Sequence, residues 1–267
     1  MNISVSAWSY RYHFRNDNMG ILEFMEEVNN LGAEGIEIHP EFIDQDDLLY
    51  HLKKVIKKAE KLNLNISSFI AANDFAFASS AKRAEEVRKM IEKIEIIAEV
   101  GIEKMNVFTG YHQDGQDPVM ESMRVKDCFR EVIPAAEEND ILLCLENHSS
   151  VHEDADGLLS VIKYIGSGHL KTNPDPTNFC KNHTQVDKKS REVIYKETKK
   201  IAPYMGNAHL KINTFNDNDA PEYVDVTKII DIFKKVDYNG DIVLEYFGEG
   251  SPRESIKNGI NYLEYLL

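Results

Sequence analysis

Cysteine is scarce in this chain: Cys128, Cys144 and Cys180 are the three present, an odd number with no close pair. That pattern excludes a disulfide framework and a zinc site built on paired cysteines. Bases are in short supply too, with 31 Lys plus Arg against 45 Asp plus Glu and a formal net charge of −14. Such a surface repels a phosphate backbone, so nucleic acid is not the expected partner. No apolar run approaches the roughly 18 residues that read as a membrane span. The opening "MNISVSAWSYRYHF" lacks the basic start and long apolar core of a signal peptide, and a cytoplasmic protein is expected. No glycine fingerprint follows the first apolar run, which counts against an open, doubly wound sheet. Linkers and low-complexity segments are also missing.

What is present is a repeated alternation. Short apolar runs, "ISVSAWSY", "GIEIH", "LNISSF", "KMNVF", "ILLCLEN", "HLKTN", "NAHLKIN" and "DIVLEYF", are each followed by an amphipathic stretch. In "DDLLYHLKKVIKKAEKL", Leu48, Leu52, Val55, Ile56 and Ala59 recur at helical spacing, with Asp46 or Asp47 placed to cap the start. Gly101 stops the helix that begins near Ser80, and Pro134 is expected to kink or break the one before "ILLCLEN". Eight strand–helix units of about 33 residues each are the expected length for a (β/α)8 barrel, an α/β fold, spanning residues 1–267 as one domain. The longer polar connections, residues 174–188 and 213–225, follow strands and therefore belong to the end of a barrel where active sites form.

The fifth apolar run raises a chemical question, because it ends on Glu146. An ionised carboxylate at the tip of a buried strand is costly unless something pairs with it. Asp175 just past the sixth run, His209 in the seventh and Glu245 in the eighth follow at spacings of 29, 34 and 36 residues, about one unit each. Alone, any of them reads as a hydrogen-bonded strand-end residue. Together at one barrel mouth they set three carboxylates and an imidazole around a common point. Like charges so close raise one another's pKa, and one divalent metal ion removes the conflict. The oxygen and nitrogen donors suit Mn, Mg, Co or Zn rather than a thiolate-seeking metal.

Other residues are placed to meet a small substrate. Glu37 and His39 end the second strand, and the glutamate can orient a substrate hydroxyl or a neighbouring side chain. His112 lies past the fourth strand and faces either pocket or solvent. Lys211 alternates with His209, so its ammonium can meet a ligand oxyanion at the mouth. Trp8, Phe69 and Phe247 sit at strand ends, where a ring serves either the core or the C–H face of a sugar. His148 follows Glu146 by two residues and is a further candidate for the pocket.

The ordered set "GIEIH", "LENHSS", "KTNPDPTNF", "HLK" and "LEYF" resembles the xylose isomerase-like superfamily of sugar phosphate isomerases and epimerases, metal-dependent TIM barrels that include ketose 3-epimerases. The resemblance implies that Glu146, Asp175, His209 and Glu245 bind the metal. It implies also that Glu146 and Glu245 are catalytic, handling protons on opposite faces of a carbohydrate through a metal-stabilised enediolate. A dehydratase acting on an inosose-like polyol is the alternative on the same scaffold. An abasic-site endonuclease or a non-catalytic binding barrel is further off. The epimerase and endonuclease branches both carry a histidine where this chain has Asn178, and the endonuclease branch carries another where it reads Ser67, Ser68 and Phe69. Asparagine suits a sugar hydroxyl better than zinc. The expected partner is thus a small carbohydrate, with neither membrane nor nucleic acid, and assembly into a homo-oligomer is left open.

Overall fold

Eight short strands, β1 (Asn2–Ser6), β2 (Gly35–Ile38), β3 (Asn65–Ile70), β4 (Lys104–Val107), β5 (Leu142–Glu146), β6 (Leu170–Asn173), β7 (Ala208–Ile212) and β8 (Asp241–Tyr246), make one parallel sheet in a computed structural model. The structure describes residues 1–16, 18–148, 151–180, 186–212, 224–248 and 251–267. Ladders join each strand to its successor from β1 to β6, while β8 pairs with both β1 and β7. The remaining seam, β6 to β7, is irregular. It closes through Gly206 N–H to Thr172 O and His209 N–H to Pro174 O, each 2.9 Å. The sheet thereby curls into the expected (β/α)8 barrel.

One long helix follows each strand: α1 (Ile21–Asn30), α2 (Leu48–Leu62), α3 (Ser80–Glu99), α4 (Pro118–Glu138), α5 (Ala155–Ile165), α6 (Lys188–Ile201), α7 (Val226–Lys234) and α8 (Pro252–Leu266). Their starts are chemically marked. Asp47, Ser79, Asp117, Asp154, Asp187 and Asp225 each accept a first-turn backbone N–H. Such a cap stabilises its helix by about 0.5–2 kcal/mol. Asn63 and Gly166, both left-handed, end α2 and α5. Pro134 neither breaks nor ends α4, which runs on to Glu138.

The apolar core lies between barrel and helices. Val5, Ile36, Ile38, Met105, Val107, Leu143 and Leu145 from the strands meet Phe24, Leu52, Ile94, Phe129, Phe233 and Ile260 from the helices. Gly259 lets α8 approach β7 closely, since a Cβ there would collide with the Ile212 side chain. No helix among the described residues is long and apolar enough to cross a membrane.

Two connections differ from expectation. The first apolar run is strand only to Ser6; Ala7–Tyr10 forms a 3-10 turn and Arg11–Arg15 a short helix, so Trp8 lies beyond the strand. Residues 181–185 and 213–223, the centres of the two long polar connections, lie outside the described residues.

Candidate active site

The strand side chains that point inward at the C-terminal rim are polar, in contrast to the branched apolar layers that commonly fill such barrels. Ser6, Glu37, Ser68, Asn106, Glu146 and His209 are all buried and joined by hydrogen bonds or ion pairs. Sequence expectation and structure meet at Glu146, Asp175 and His209, whose ligand atoms lie within 4.8 Å of one another.

Each member is held by its own partners. Glu146 Oε2 accepts from Asn106 Nδ2 at 2.7 Å and Oε1 from Asn178 Nδ2 at 3.0 Å. Asp175 Oδ1 accepts from the Thr177 hydroxyl (2.9 Å) and backbone N–H (3.2 Å). Its main chain is clamped by the Asn147 amide, which donates to Asp175 O at 2.9 Å and accepts from Asp175 N at 2.8 Å. His209 Nε2 donates to Glu37 Oε1 at 2.9 Å, since a carboxylate can only accept. That bond turns Nδ1 toward Glu146 Oε2, 3.5 Å away, and leaves it without a hydrogen-bond partner among the described residues.

A buried imidazole nitrogen with no hydrogen-bond partner among the described residues, facing two carboxylates, is a donor set for a divalent cation. The residues fit the metal that the sequence implies. Glu245 stands slightly apart from the three. Its Oε2 lies 3.5 Å from Lys211 Nζ, which also donates to Asp175 Oδ2 at 2.6 Å.

The electrostatics follow from burial and these neighbours. Burial works against a charged His209, yet Glu37 and Glu146 outweigh it and push the imidazole up to about 10. Burial would raise the Glu37 carboxyl, but the His209 charge and hydrogen bond, with Ser68 and Ser6, hold it below its ordinary value. Asp175 is likewise held low, by Lys211 and His209 against burial. Glu245 goes the other way. Burial, helped by the charges of Glu146 and Asp175, lifts it to about 7 despite Lys211 and His209.

Above the cluster opens a cavity of about 220 Å³ reaching Glu146, His209 and Glu245, walled by Trp8, His39, Phe108, Tyr111, His148 and Phe247. Trp8 and Phe247 are therefore pocket rings. Arg11, which the sequence reading passed over, pins both: Nη1 donates to Trp8 O (3.2 Å) and Tyr246 O (2.9 Å), and its guanidinium lies 4.9 Å from the Phe247 ring centre. His39 packs 4.7 Å from the Trp8 ring, and its Nδ1 accepts from Glu41 N–H at 3.2 Å. Burial keeps that imidazole neutral by lowering it to about 4, which leaves Nε2–H as its donor. A larger cavity of about 800 Å³ lies at the opposite barrel end, around Lys104 and Asp241, away from the cluster.

Three residues offered for substrate binding, each with a second reading beside it, lie off the pocket walls. Phe69 is fully buried in the core and does not line the pocket. A register irregularity between Ile36 and Glu37 sets Ser68 inward, against Glu37, so alternation turns Phe69 out toward the helices. His112 is paired with Glu121 of α4, Nδ1 to Oε2 at 2.5 Å, and is not among the pocket walls. Glu37 has no exposed surface and spends its oxygens on Ser6, Ser68 and His209, so it orients a neighbouring side chain rather than a substrate hydroxyl. Asn106 and Ser6 were also missed. Both alternate with outward-facing apolar residues, Val5 in one strand and Met105 and Val107 in the other, which was the available signal.

Residues 25–266 match the family described as xylose isomerase-like TIM barrel. The chain belongs to that family. Among solved members of this fold, a D-psicose 3-epimerase crystallised in the presence of D-fructose shares 15% identity, over 100% of this chain and 99% of that one, with a TM-score of 0.77. The 3-keto-D-glucoside 4-epimerase of E. coli shares 14%, over 99% of both chains, with a TM-score of 0.78. The IOLI protein with a bound zinc atom shares 12%, over 100% and 98%, with a TM-score of 0.75. No curated protein sequence matches the chain.

Within the xylose isomerase-like frame, Glu37 has a testable role as the outer partner of His209. Glu37→Gln should lower divalent-metal affinity by roughly 10–100-fold, as loss of such a partner typically does. Titration calorimetry with Mn²⁺ measures it, and an unchanged Kd would mean that His209 holds its orientation without Glu37.

Proposed function

We propose that the protein is a divalent-metal-dependent isomerase or epimerase of a small sugar or sugar derivative. The observation that carries this reading is the buried Glu146–Asp175–His209 cluster, with the His209 Nδ1 unpartnered, lying at the mouth beneath a pocket of sugar size. The three residues would hold the ion, with Glu245 as a fourth ligand or as a base beside it. When bound, the ion supplies Lewis-acid polarisation of a substrate carbonyl.

The protein groups account for the rest. Glu245, poised near neutrality, takes or returns the proton on a carbon next to that carbonyl. Glu146, fixed by Asn106 and Asn178, is the second base on the opposite side. The Trp8 and Phe247 rings pack on C–H faces, while the Nε2–H of neutral His39 donates to a hydroxyl. Asn178 bridges Glu146 and Lys211 and so holds the second base in place. The likeness to a D-psicose 3-epimerase makes free ketoses the first panel to test.

Turnover with Mn²⁺ in deuterated water decides the chemistry. One deuterium at the epimerised carbon supports two-base proton transfer. Direct transfer of substrate deuterium would mean a hydride shift instead. A product lighter by one water would identify the dehydratase alternative.

A further inference from the structure

Lys211 was expected to reach a substrate, but its ammonium is sunk into the ligand cluster. Nζ donates to Asp175 Oδ2 at 2.6 Å and to Asn178 Oδ1 at 2.5 Å, and lies 3.5 Å from Glu245 Oε2. The side chain is only 3% exposed. Asp175 does not need it for position. Thr177 binds the other carboxylate oxygen, and Asn147 clamps the main chain from both sides. The ammonium thus caps the one Asp175 oxygen that Thr177 leaves to the ion.

A resident ammonium and an incoming divalent ion compete for the same lone pairs and repel each other across a buried site, where screening is weak. Net charge allows both, but the shared Asp175 Oδ2 does so only if the ammonium yields. Among the described residues, Glu37, Glu146, Asp175 and Glu245 face a single lysine and a single histidine. The cluster therefore has room for further positive charge, though not at the point that Lys211 holds. On its far side the ammonium has Glu245, Asn178 and, 5.2 Å away, the face of the Phe247 ring.

We propose that Lys211 is a built-in counter-ion that the divalent metal displaces from Asp175. In the metal-free protein it bridges Asp175 and Glu245 and sets a limit on metal affinity. With the ion bound, it moves off Asp175 toward Glu245 and the Phe247 wall, where its donors face the pocket. The inference rests on the metal reading above and adds an order of events to it: the lysine becomes available to a substrate oxyanion only after the metal has arrived.

The test is Mn²⁺ titration of the chelator-treated full chain and of Lys211→Met, which keeps length and removes charge. Metal binding should tighten by at least roughly 5-fold, the low end of coupling between linked sites. The metal-free variant should melt at lower temperature, because its carboxylates lose their counter-ion. Should the variant not fold, wild-type crystals grown with chelator and with Mn²⁺ carry the same question. Nζ is expected within hydrogen-bond reach of Asp175 Oδ2 in the first and beyond about 3.5 Å in the second. Unchanged or weaker metal binding in folded Lys211→Met overturns the proposal, as does Mn²⁺ seated on Asp175 with the Lys211 hydrogen bond intact. If the wild-type protein takes up no Mn²⁺ at Glu146, Asp175 and His209, the metal reading itself fails and this inference with it.

Discussion

Glu245→Gln should lower kcat of the Mn²⁺-loaded enzyme by roughly 10²–10⁴-fold, the range for loss of a positioned acid–base group. Metal uptake should be affected far less. The amide keeps the side chain's shape and one oxygen but cannot accept the substrate proton. Glu245 is singled out because it lies outside the three-residue cluster and because burial lifts its carboxyl to about 7. A base must be ionised to act, so activity should rise with pH along a limb at or below neutrality, since a bound cation lowers the carboxyl further. The glutamine variant should lose that limb. Unchanged kcat would remove Glu245 from the chemistry. Parallel collapse of kcat and metal affinity would make it a ligand first and a base second.

His209→Ala should weaken metal binding by more than the roughly 10–100-fold assigned to loss of an outer partner such as Glu37. The same histidine makes metal affinity depend on pH. In the metal-free protein Glu37 and Glu146 hold its imidazole protonated up to about 10, and a ligand nitrogen must shed that proton. Apparent affinity should therefore climb with pH, by up to about tenfold per unit, over the range below 10. Stability of the metal-free protein runs the opposite way. A group whose folded pKa is raised contributes fully below its ordinary value, here 6.5, and loses that contribution as pH rises through about 10. The slope is at most about 1.4 kcal/mol per pH unit for one proton. Denaturant melts of chelator-treated protein at pH 6 to 10, beside His209→Ala, measure it. Equal slopes in the two proteins would place the titrating group elsewhere.

The ends of the elements were legible wherever the chain carries its own marker. Asp47 begins α2 and Gly101 lies just past the end of α3, as their side chains or their lack of one require. Pro134 was a weaker marker, because burial of Val132, Ile133 and Ala136 carries α4 through it. Strand-end acids at unit spacing located Glu146 and Asp175. What spacing could not say is which neighbour each side chain would choose. His209 and Glu37 are 172 positions apart and meet only because the barrel closes. Phe69 shows how fragile the face of a strand residue is, since one irregular step at Ile36 and Glu37 exchanges its place with that of Ser68.

The sequence by itself determined the alternation of eight buried strands with eight amphipathic helices, and the chemistry available at the strand ends. Both are local: hydrophobic period and residue type are properties of a few consecutive positions. Only the tertiary structure decided that Lys211 caps Asp175, that Glu37 serves His209, that His112 turns to Glu121, and that Arg11 holds the Trp8 and Phe247 walls. Each of these is a choice between partners, made by the register of strands distant in the chain. A buried charge takes whichever opposite charge that register brings within reach, because in a desolvated barrel mouth an unpaired one is too costly to keep.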